Sequence, residues 1–190
     1  MQQTKPYEYM LVEDFFTEEE LSVVWDDLAV TFARSLWQPR SLGQNEPSMV
    51  SRSGLFVDKA NDHLLQGVTK SVDKLFDGYT STFAEMCFAN YPVINTNRHS
   101  MLCSLYTNTG FYKKHRDTSV TSALIWLCKE PKSFTGGDLI LHDLDETIPF
   151  KNNTMIMFPS QAFHEVTPVV MDESLSAIEG RICLSIFMSN

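Results

Sequence analysis

Three residues whose side chains bind transition metals stand at spacings that allow a single site: His115, Asp117 and His164. On an extended backbone, residues two apart point to the same face, so His115 and Asp117 can converge on one ion while Arg116 points away. Two imidazoles and one carboxylate occupy one face of an octahedral Fe(II) ion and leave three positions open for a cosubstrate and dioxygen. The pattern therefore predicts a non-haem iron site.

The His-x-Asp pair is weak evidence when taken alone, because the same residues suit a surface loop in which Asp117 caps a turn. The other histidines of the chain serve as controls. His63 falls in the polar opening of a helix, His99 in a loop and His142 at a strand end. We expect solvated or locally hydrogen-bonded roles for these three, and we prefer His115 as the ligand.

Arg181 is the second chemically informative residue, because it lies in an otherwise apolar strand, residues 180–186. A guanidinium inside a barrel is an unpaired buried charge, which is costly unless an anion meets it. The partner is either a carboxylate of a ligand or an internal Asp or Glu. The first alternative predicts a bidentate ligand that also chelates iron.

Composition indicates one globular domain, since 190 residues with 43% hydrophobic content can bury a sizeable core. The net charge of −9 disfavours nucleic acid and anionic membranes as partners. The four cysteines show no metal-type spacing, which favours reduced thiols in a core. The N-terminus lacks an apolar signal segment, and no stretch reaches transmembrane length. These observations predict a cytoplasmic protein.

The first half of the chain is predicted to be mainly helical. Thr17 and Glu20 form a capping-box pattern, which predicts a helix over residues 18–35. Residues 37–54 lose periodicity and gather proline, glycine and serine, which predicts a long surface loop. A second helical stretch is predicted over residues 61–89, with a possible break at Gly78.

The second half reads as strands, at 101–106, 123–127, 139–141, 155–158 and 182–188. Helices followed by strands predict an α+β fold, with a β-sandwich or barrel and the helices packed on one outer face. Gly136 and Gly137 are predicted to supply positive-φ turn residues between two strands.

These residues together resemble the Fe(II)/2-oxoglutarate-dependent dioxygenases, most closely the prolyl 4-hydroxylase branch. The resemblance covers about residues 93–188, through the segments 105–106, 110–112, 115–117, 136–139, 158–159, 164–169 and 180–181. It implies a double-stranded β-helix, which is a jelly-roll or cupin-like barrel. The expected single domain, 1–190, then has a helical support over about 1–92 and a β-helix core over about 93–190.

The resemblance also implies roles for individual residues. Fe(II) is expected on His115, Asp117 and His164. Arg181 is expected to pair with the distal carboxylate of 2-oxoglutarate, and the Tyr106 hydroxyl to orient that cosubstrate, although Tyr106 also suits an ordinary strand position. Dioxygen is the other substrate, succinate and CO2 are the products, and ascorbate is a candidate reductant.

Two further residues are weaker candidates for the cosubstrate. Ser185 follows Arg181 by four residues and is a candidate for the same carboxylate. Trp126 stands where some prolyl hydroxylases carry a tyrosine that contacts 2-oxoglutarate, so its indole N–H replaces that contact or the contact is missing. The segment 171–179 is longer than in compact relatives and is expected to add an acidic loop at the site mouth.

The expected reaction is hydroxylation of an unactivated C–H, with a prolyl residue in a protein or peptide as the leading substrate. Trp37, Arg40 and Tyr112 are the candidate substrate-binding residues. The alternatives are hydroxylation of a free amino acid or other small metabolite, and a non-catalytic β-barrel binding module that keeps a metal for structure. Nucleic-acid demethylation fits less well, because Phe187 stands where such demethylases carry a second arginine.

Overall fold

The computed structural model describes residues 5–40, 49–58 and 60–190. Its first helix, α1, spans Glu18–Ala33 and begins with the predicted capping box. The backbone N–H of Glu20 donates to Thr17 Oγ1 at 3.3 Å, and the N–H of Thr17 donates to Glu20 Oε2 at 2.9 Å. The prediction is confirmed, and the helix ends two residues before the predicted Ser35.

No helix among the described residues is both long and apolar enough to cross a membrane.

The predicted second helical stretch is divided into short helices. They are a 3-10 helix at Asp62–Leu64, α2 at Gln66–Val72, a π-helix at Leu75–Tyr79, α3 at Thr80–Met86 and a 3-10 helix at Phe88–Asn95. Gly78, the predicted break, lies in the π-helix. Asp27 of α1 ties the two helical segments together, because its Oδ2 accepts a hydrogen bond from Val68 N at 2.9 Å.

The described residues form thirteen strands. They are β1 Met10–Val12, β2 Gln38–Arg40, β3 Val50–Val57, β4 Arg98–Tyr106, β5 Phe111–His115, β6 Thr121–Leu127, β7 Phe134–Gly136, β8 Leu139–Leu141, β9 Glu146–Ile148, β10 Thr154–Pro159, β11 His164–Val166, β12 Val169–Met171 and β13 Arg181–Ser189. All five strands predicted in the second half are present. Gly136 and Gly137 have φ values of +70° and +73°, which confirms the predicted turn between β7 and β8.

Strand pairing is antiparallel throughout and closes a strongly curled half-barrel. One side has the order β1-β10-β6-β13-β4-β3, and the other continues as β3-β5-β11-β8-β9. Strand β3 belongs to both sides, because Ser53–Val57 pairs with β4 while Val50 and Ser51 pair with β5. A separate ribbon joins β7 to β12. The predicted α+β barrel with helices on one outer face is confirmed.

The predicted surface loop over residues 37–54 is wrong at both of its ends. Gln38–Arg40 forms β2 and pairs with β3, which begins at Val50. Residues 41–48, the centre of the predicted loop, lie outside the described residues. The polar residues of β3 misled the prediction because one face of this strand borders a polar cavity instead of an apolar core. The N-terminal half therefore supplies strands as well as the helical support.

Two separate cores explain why the central strands are apolar on both faces. In β6, Ala123, Ile125 and Leu127 pack towards the helices, whereas Leu124 and Trp126 face the barrel interior. In β13 the even-numbered residues from 182 to 188 pack towards the helices, and Arg181 and Cys183 face inward. The helix layer thus stabilises the sheet from outside and leaves the inner face of the barrel for a site.

Candidate metal centre

His115, Asp117 and His164 converge at the open end of the barrel. His115 is the last residue of β5 and His164 the first of β11, and the register of these antiparallel strands places the two opposite each other. Asp117 Oδ1 lies 3.8 Å from His115 Nε2, and its Oδ2 lies 3.6 Å from His164 Nε2. One donor atom from each of the three side chains lies within 4.8 Å of the others. The structure therefore brings together the three residues that the sequence singled out.

Backbone carbonyl groups orient both imidazoles. His115 Nδ1 lies 2.7 Å from the oxygen of Lys113, and His164 Nδ1 lies 2.9 Å from the oxygen of Ala162. A carbonyl accepts only, so Nδ1 carries a proton in each ring, which leaves Nε2 as the atom of each ring that can bind a metal. Burial lowers the pKa of His115 to about 3, with smaller contributions from His164 and Arg52. His115 is therefore a neutral imidazole at physiological pH.

A chain of three buried serine hydroxyls holds Asp117. Ser122 Oγ donates to Asp117 Oδ2 at 2.6 Å. Ser160 Oγ lies 2.8 Å from Ser122 Oγ and 2.6 Å from Ser119 Oγ. Because each hydroxyl has one hydrogen, Ser160 must donate to Ser122, and Ser119 to Ser160. The relay fixes the carboxylate while leaving Oδ1 open.

A cavity of about 410 Å³ adjoins this cluster and contains Arg181 in its wall. Arg181 is fully buried, and its Nε donates to the carbonyl oxygen of Gly137 at 2.7 Å. Both of its terminal nitrogens, Nη1 and Nη2, are buried and have no hydrogen-bond partner among the described residues. No carboxylate among the described residues forms an ion pair with it, which rules out the internal salt bridge within that part of the chain. The geometry fits a carboxylate ligand.

Tyr106 lies directly opposite Arg181 in the β4–β13 register and borders the same cavity. The guanidinium carbon of Arg181 lies 5.0 Å from the centre of the Tyr106 ring. Burial raises the pKa of Tyr106, so its hydroxyl stays protonated and able to donate. Ser185 also borders the cavity, on the same face of β13 as Arg181. Both residues border the cavity that contains Arg181, and their cosubstrate roles stay predictions.

Trp126 is placed differently, because it packs in the inner core and does not border the cavity. Its ring centre lies 5.7 Å from the guanidinium carbon of Arg181, and its indole nitrogen is buried without a partner. The indole N–H is thus a free donor behind Arg181. Its predicted contact with the cosubstrate stays a prediction.

Of the three candidate substrate-binding residues, Tyr112 borders the cavity and stacks on His115, with ring centres 3.4 Å apart. Trp37 does not border it: the indole stacks on Phe32 and donates to Thr31 Oγ1 at 2.9 Å. In this structure Trp37 therefore packs against α1, and its contact with a substrate stays a prediction. The side chain of Arg40 lies outside the described residues.

The acidic segment 171–179 does not reach the metal cluster either. Asn108 binds it, donating to Glu173 at 3.0 Å and accepting from the N–H of Met171 at 3.3 Å. Its residues border a separate depression, so the predicted acidic loop at the site mouth is wrong. The control histidine His142 contacts Glu165 Oε2 at 3.0 Å, as expected for a locally bonded residue.

Arg52 is a site residue that the sequence reading missed. It lies on β3, borders the cavity, and its guanidinium carbon is 4.9 Å from the centre of the Tyr112 ring. The residues around Arg52 were predicted to form a loop, so the local pattern offered no reason to place Arg52 on the same strand face as Val50 and Gly54. The serine relay gave no sequence signal, because Ser119, Ser122 and Ser160 are far apart or irregularly spaced.

A curled β-barrel with an open His/Asp/His cluster beside a buried, unpaired arginine defines the class of non-haem iron oxygenases that bind an acidic cosubstrate. The model of the 2OG-Fe(II) oxygenase superfamily matches residues 101–189, which include all four of these residues. The match covers a little under half of the chain, and together with the site it supports a 2-oxoglutarate-dependent dioxygenase enzyme.

Individual relatives agree with this assignment. A PKHD-type hydroxylase of Nitrosomonas europaea is 23% identical over 185 residues, which cover 88% of this chain and 75% of the relative. The fold matches a crystal structure of a Pseudomonas putida prolyl-4-hydroxylase with a TM-score of 0.69 at 16% identity, covering 97% and 94% of the two chains. A Trichoplax adhaerens prolyl hydroxylase, in complex with a hypoxia inducible factor peptide fragment, matches with a TM-score of 0.68 at 11% identity, covering 97% and 84%. These likenesses confirm the double-stranded β-helix fold.

Proposed function

We propose that this dioxygenase hydroxylates an unactivated C–H of a prolyl group, most simply in a protein or peptide, and releases succinate and CO2. The observation that carries the site assignment is the pair of unpartnered Arg181 nitrogens in a cavity that also holds the His/Asp/His cluster. Likeness to PKHD-type and prolyl hydroxylases supports the prolyl substrate.

The residues fit the groups that the superfamily requires. His115 and His164 would hold Fe(II) through Nε2, and Asp117 through the carboxylate that Ser122 orients. Iron bound there supplies the activation of dioxygen coupled to oxidative decarboxylation of 2-oxoglutarate. The two nitrogens of Arg181 would bind the distal carboxylate of the cosubstrate, and Tyr106 would donate its hydroxyl hydrogen to it.

The protein itself orients the reactants and excludes water. Leu124 and Val166 line the cavity next to the cluster, which keeps it partly apolar. Tyr112 stacks against His115 and fixes the plane of that ring. Burial raises the pKa of Tyr112 to about 12, so its phenol stays neutral beside the site. Because this cavity wall excludes water, fewer oxidising equivalents are lost in side reactions with solvent.

The test is an anaerobic titration of Fe(II) and 2-oxoglutarate into metal-free protein, monitored by the weak visible charge-transfer band of the chelate. We expect the band in the wild type and its loss in His115→Ala and Asp117→Ala. His142→Ala is the matched control, because this histidine contacts Glu165 and not the cluster. A folded wild type without the band would contradict the site assignment.

The same proposal extends to the environment of the enzyme. Ascorbate would serve as a reductant that restores Fe(II), and the protein would work in the reducing cytoplasm. The four cysteines support that compartment, since all are free thiols and three are buried. Stimulation of turnover by ascorbate, and fractionation of the native protein, would test these two points.

A free amino acid or other small metabolite is the second candidate substrate. It is favoured by Arg52, a second cation beside the metal cluster that the cosubstrate does not need. Competition between prolyl peptides and free amino acids for 2-oxoglutarate turnover would separate the two candidates.

A further inference from the structure

Arg52 presents hydrogen-bond donors to the cavity. Its Nη1 donates to Ser104 Oγ, while its Nε is buried and has no partner in the described part of the chain. No Asp or Glu among the described residues lies within ion-pair distance of it. A half-buried guanidinium without a counter-ion is costly unless an anion joins it during function.

Arg52 lies between Tyr106 and Tyr112 in the cavity wall and so borders both the Arg181 end and the metal cluster. Its guanidinium lies 4.9 Å from the Tyr112 ring, and Tyr112 stacks directly on His115. Arg52 lies 6.0 Å from the Tyr106 ring, whereas Arg181 lies 5.0 Å from it. The two arginines thus share the neighbourhood of Tyr106, but only Arg52 contacts the aromatic ring that covers a cluster histidine.

The charges of the cavity leave Arg52 uncompensated. In a chain of net charge −9, the described residues of the cavity wall include Arg52, Arg116 and Arg181 against the single acidic residue Asp117. With Fe(II) and the 2-oxoglutarate dianion bound, the charges of iron, cosubstrate, Asp117 and Arg181 cancel. Arg116 stacks on Phe163, with its guanidinium carbon 3.7 Å from the ring centre. Within the described residues, Arg52 is the inner cation that still lacks an anion.

We propose that Arg52 binds a carboxylate of the molecule that is hydroxylated, and so selects substrates that carry a carboxylate close to the reacting C–H. This inference rests on the proposed function and narrows its substrate class. The carboxylate belongs either to a free amino acid or to the C-terminal residue of a peptide. An internal prolyl residue, whose carbonyl is an amide, lacks that group.

The first experimental arm separates this proposal from the proposed function. The anaerobic Fe(II) and 2-oxoglutarate titration is repeated with Arg52→Met, together with a thermal melt. We expect an unchanged charge-transfer band and an unchanged affinity for 2-oxoglutarate. A weaker chelate would assign Arg52 to the cosubstrate and overturn the proposal. Absence of the band in the folded wild type would instead remove the proposed function.

The second arm uses matched probes that differ only in the carboxylate. L-proline is compared with L-prolinamide, the other amino acids with their amides, and a short peptide ending in proline as the acid with the same peptide as the amide. Binding is read from the change that each probe causes in the spectrum of the chelate, and turnover from succinate release. We expect at least one acid to bind about 10-fold or more tightly than its amide, since a charge-assisted contact is lost.

The variants decide whether Arg52 causes the preference. Arg52→Met should abolish it, Arg52→Lys should restore part of it, and Arg116→Met, which removes the same charge beside Phe163, should keep it. If a free amino acid binds more tightly than its amide, the carboxylate is that of a free amino acid. If only the peptide acid binds more tightly than its amide, the carboxylate is that of a C-terminal residue. The proposal is overturned when no acid exceeds its amide in the wild type, or when the preference survives in Arg52→Met.

Discussion

Replacing Arg181 with methionine should have opposite effects on the empty and the loaded protein. Without ligand, Arg181 is fully buried with two unpartnered nitrogens, and Nε makes its one hydrogen bond, to Gly137. Methionine removes a buried charge that has no counter-ion among the described residues, at the loss of that single bond, which is worth about 1.5 to 3 kcal/mol. We therefore expect the metal-loaded protein without 2-oxoglutarate to be as stable as the wild type or more stable.

The Arg181→Met variant should lose most of the stabilisation that 2-oxoglutarate gives to the wild-type protein. At a ligand concentration of about 100 times Kd, binding stabilises a protein by about 2.7 kcal/mol. For a chain of this size, that corresponds to a rise in Tm of about 5 to 11 °C. Leaving the distal carboxylate unpaired costs about 2 to 5 kcal/mol, or about 30-fold or more in affinity. The same concentration should then stabilise Arg181→Met by less than about 1 kcal/mol, a shift of about 3 °C or less.

The assay is a thermal melt of Mn(II)-loaded protein with and without 2-oxoglutarate, in which Mn(II) replaces Fe(II) to avoid turnover. Arg34→Met is the control, since Arg34 follows α1 at an exposed position remote from the cavity. A variant that melts well below the wild type without ligand, yet keeps the full shift with 2-oxoglutarate, would refute the reasoning and make Arg181 a structural residue.

Two further substitutions test the groups behind the site. Ser122→Ala removes the hydrogen bond to Asp117 and should weaken metal binding by about 10- to 100-fold, measured by competitive chelator titration. An unchanged metal affinity would show that the serine relay does not orient the carboxylate. Gly137→Ala places a Cβ 2.6 Å from Arg181 Cδ at a φ of +73°, so it should weaken 2-oxoglutarate binding without changing metal binding. Gly78→Ala is its matched control, because no atom lies within 4 Å of the added Cβ, and an equal loss of 2-oxoglutarate affinity in both variants would contradict the assigned contact.

The sequence predicted the residues with the strongest chemical constraints. His115, Asp117 and His164 could be found because metal ligation limits the side-chain types and the i, i+2 spacing. Arg181 could be found because a charge in an apolar strand requires an explanation. The capping box of α1 and the apolar strands of the second half follow equally local rules, and the structure shows both.

The parts that sequence reasoning missed depend on long-range contacts. Strand β3 was read as a loop because its inward face borders a polar cavity, which only its pairing with β4 and β5 reveals. Arg52 was missed with it. Trp37 was taken as a substrate contact, although its ring is held by Phe32 and Thr31 within the helix layer. Nothing in local periodicity distinguishes an aromatic residue in that layer from one at the cavity.

The alternation of side chains along β13 has a consequence for how such an enzyme can diversify. Ile182, Leu184 and Ile186 pack under the helices, while Arg181, Cys183 and Ser185 face the cavity. A mutation at an inward position alters the chemical surroundings of the reactants, and one at an outward position alters the scaffold. Because neighbouring residues meet different requirements, substitutions at inward positions such as Cys183 can change the substrate range while the packing under the helices stays unchanged.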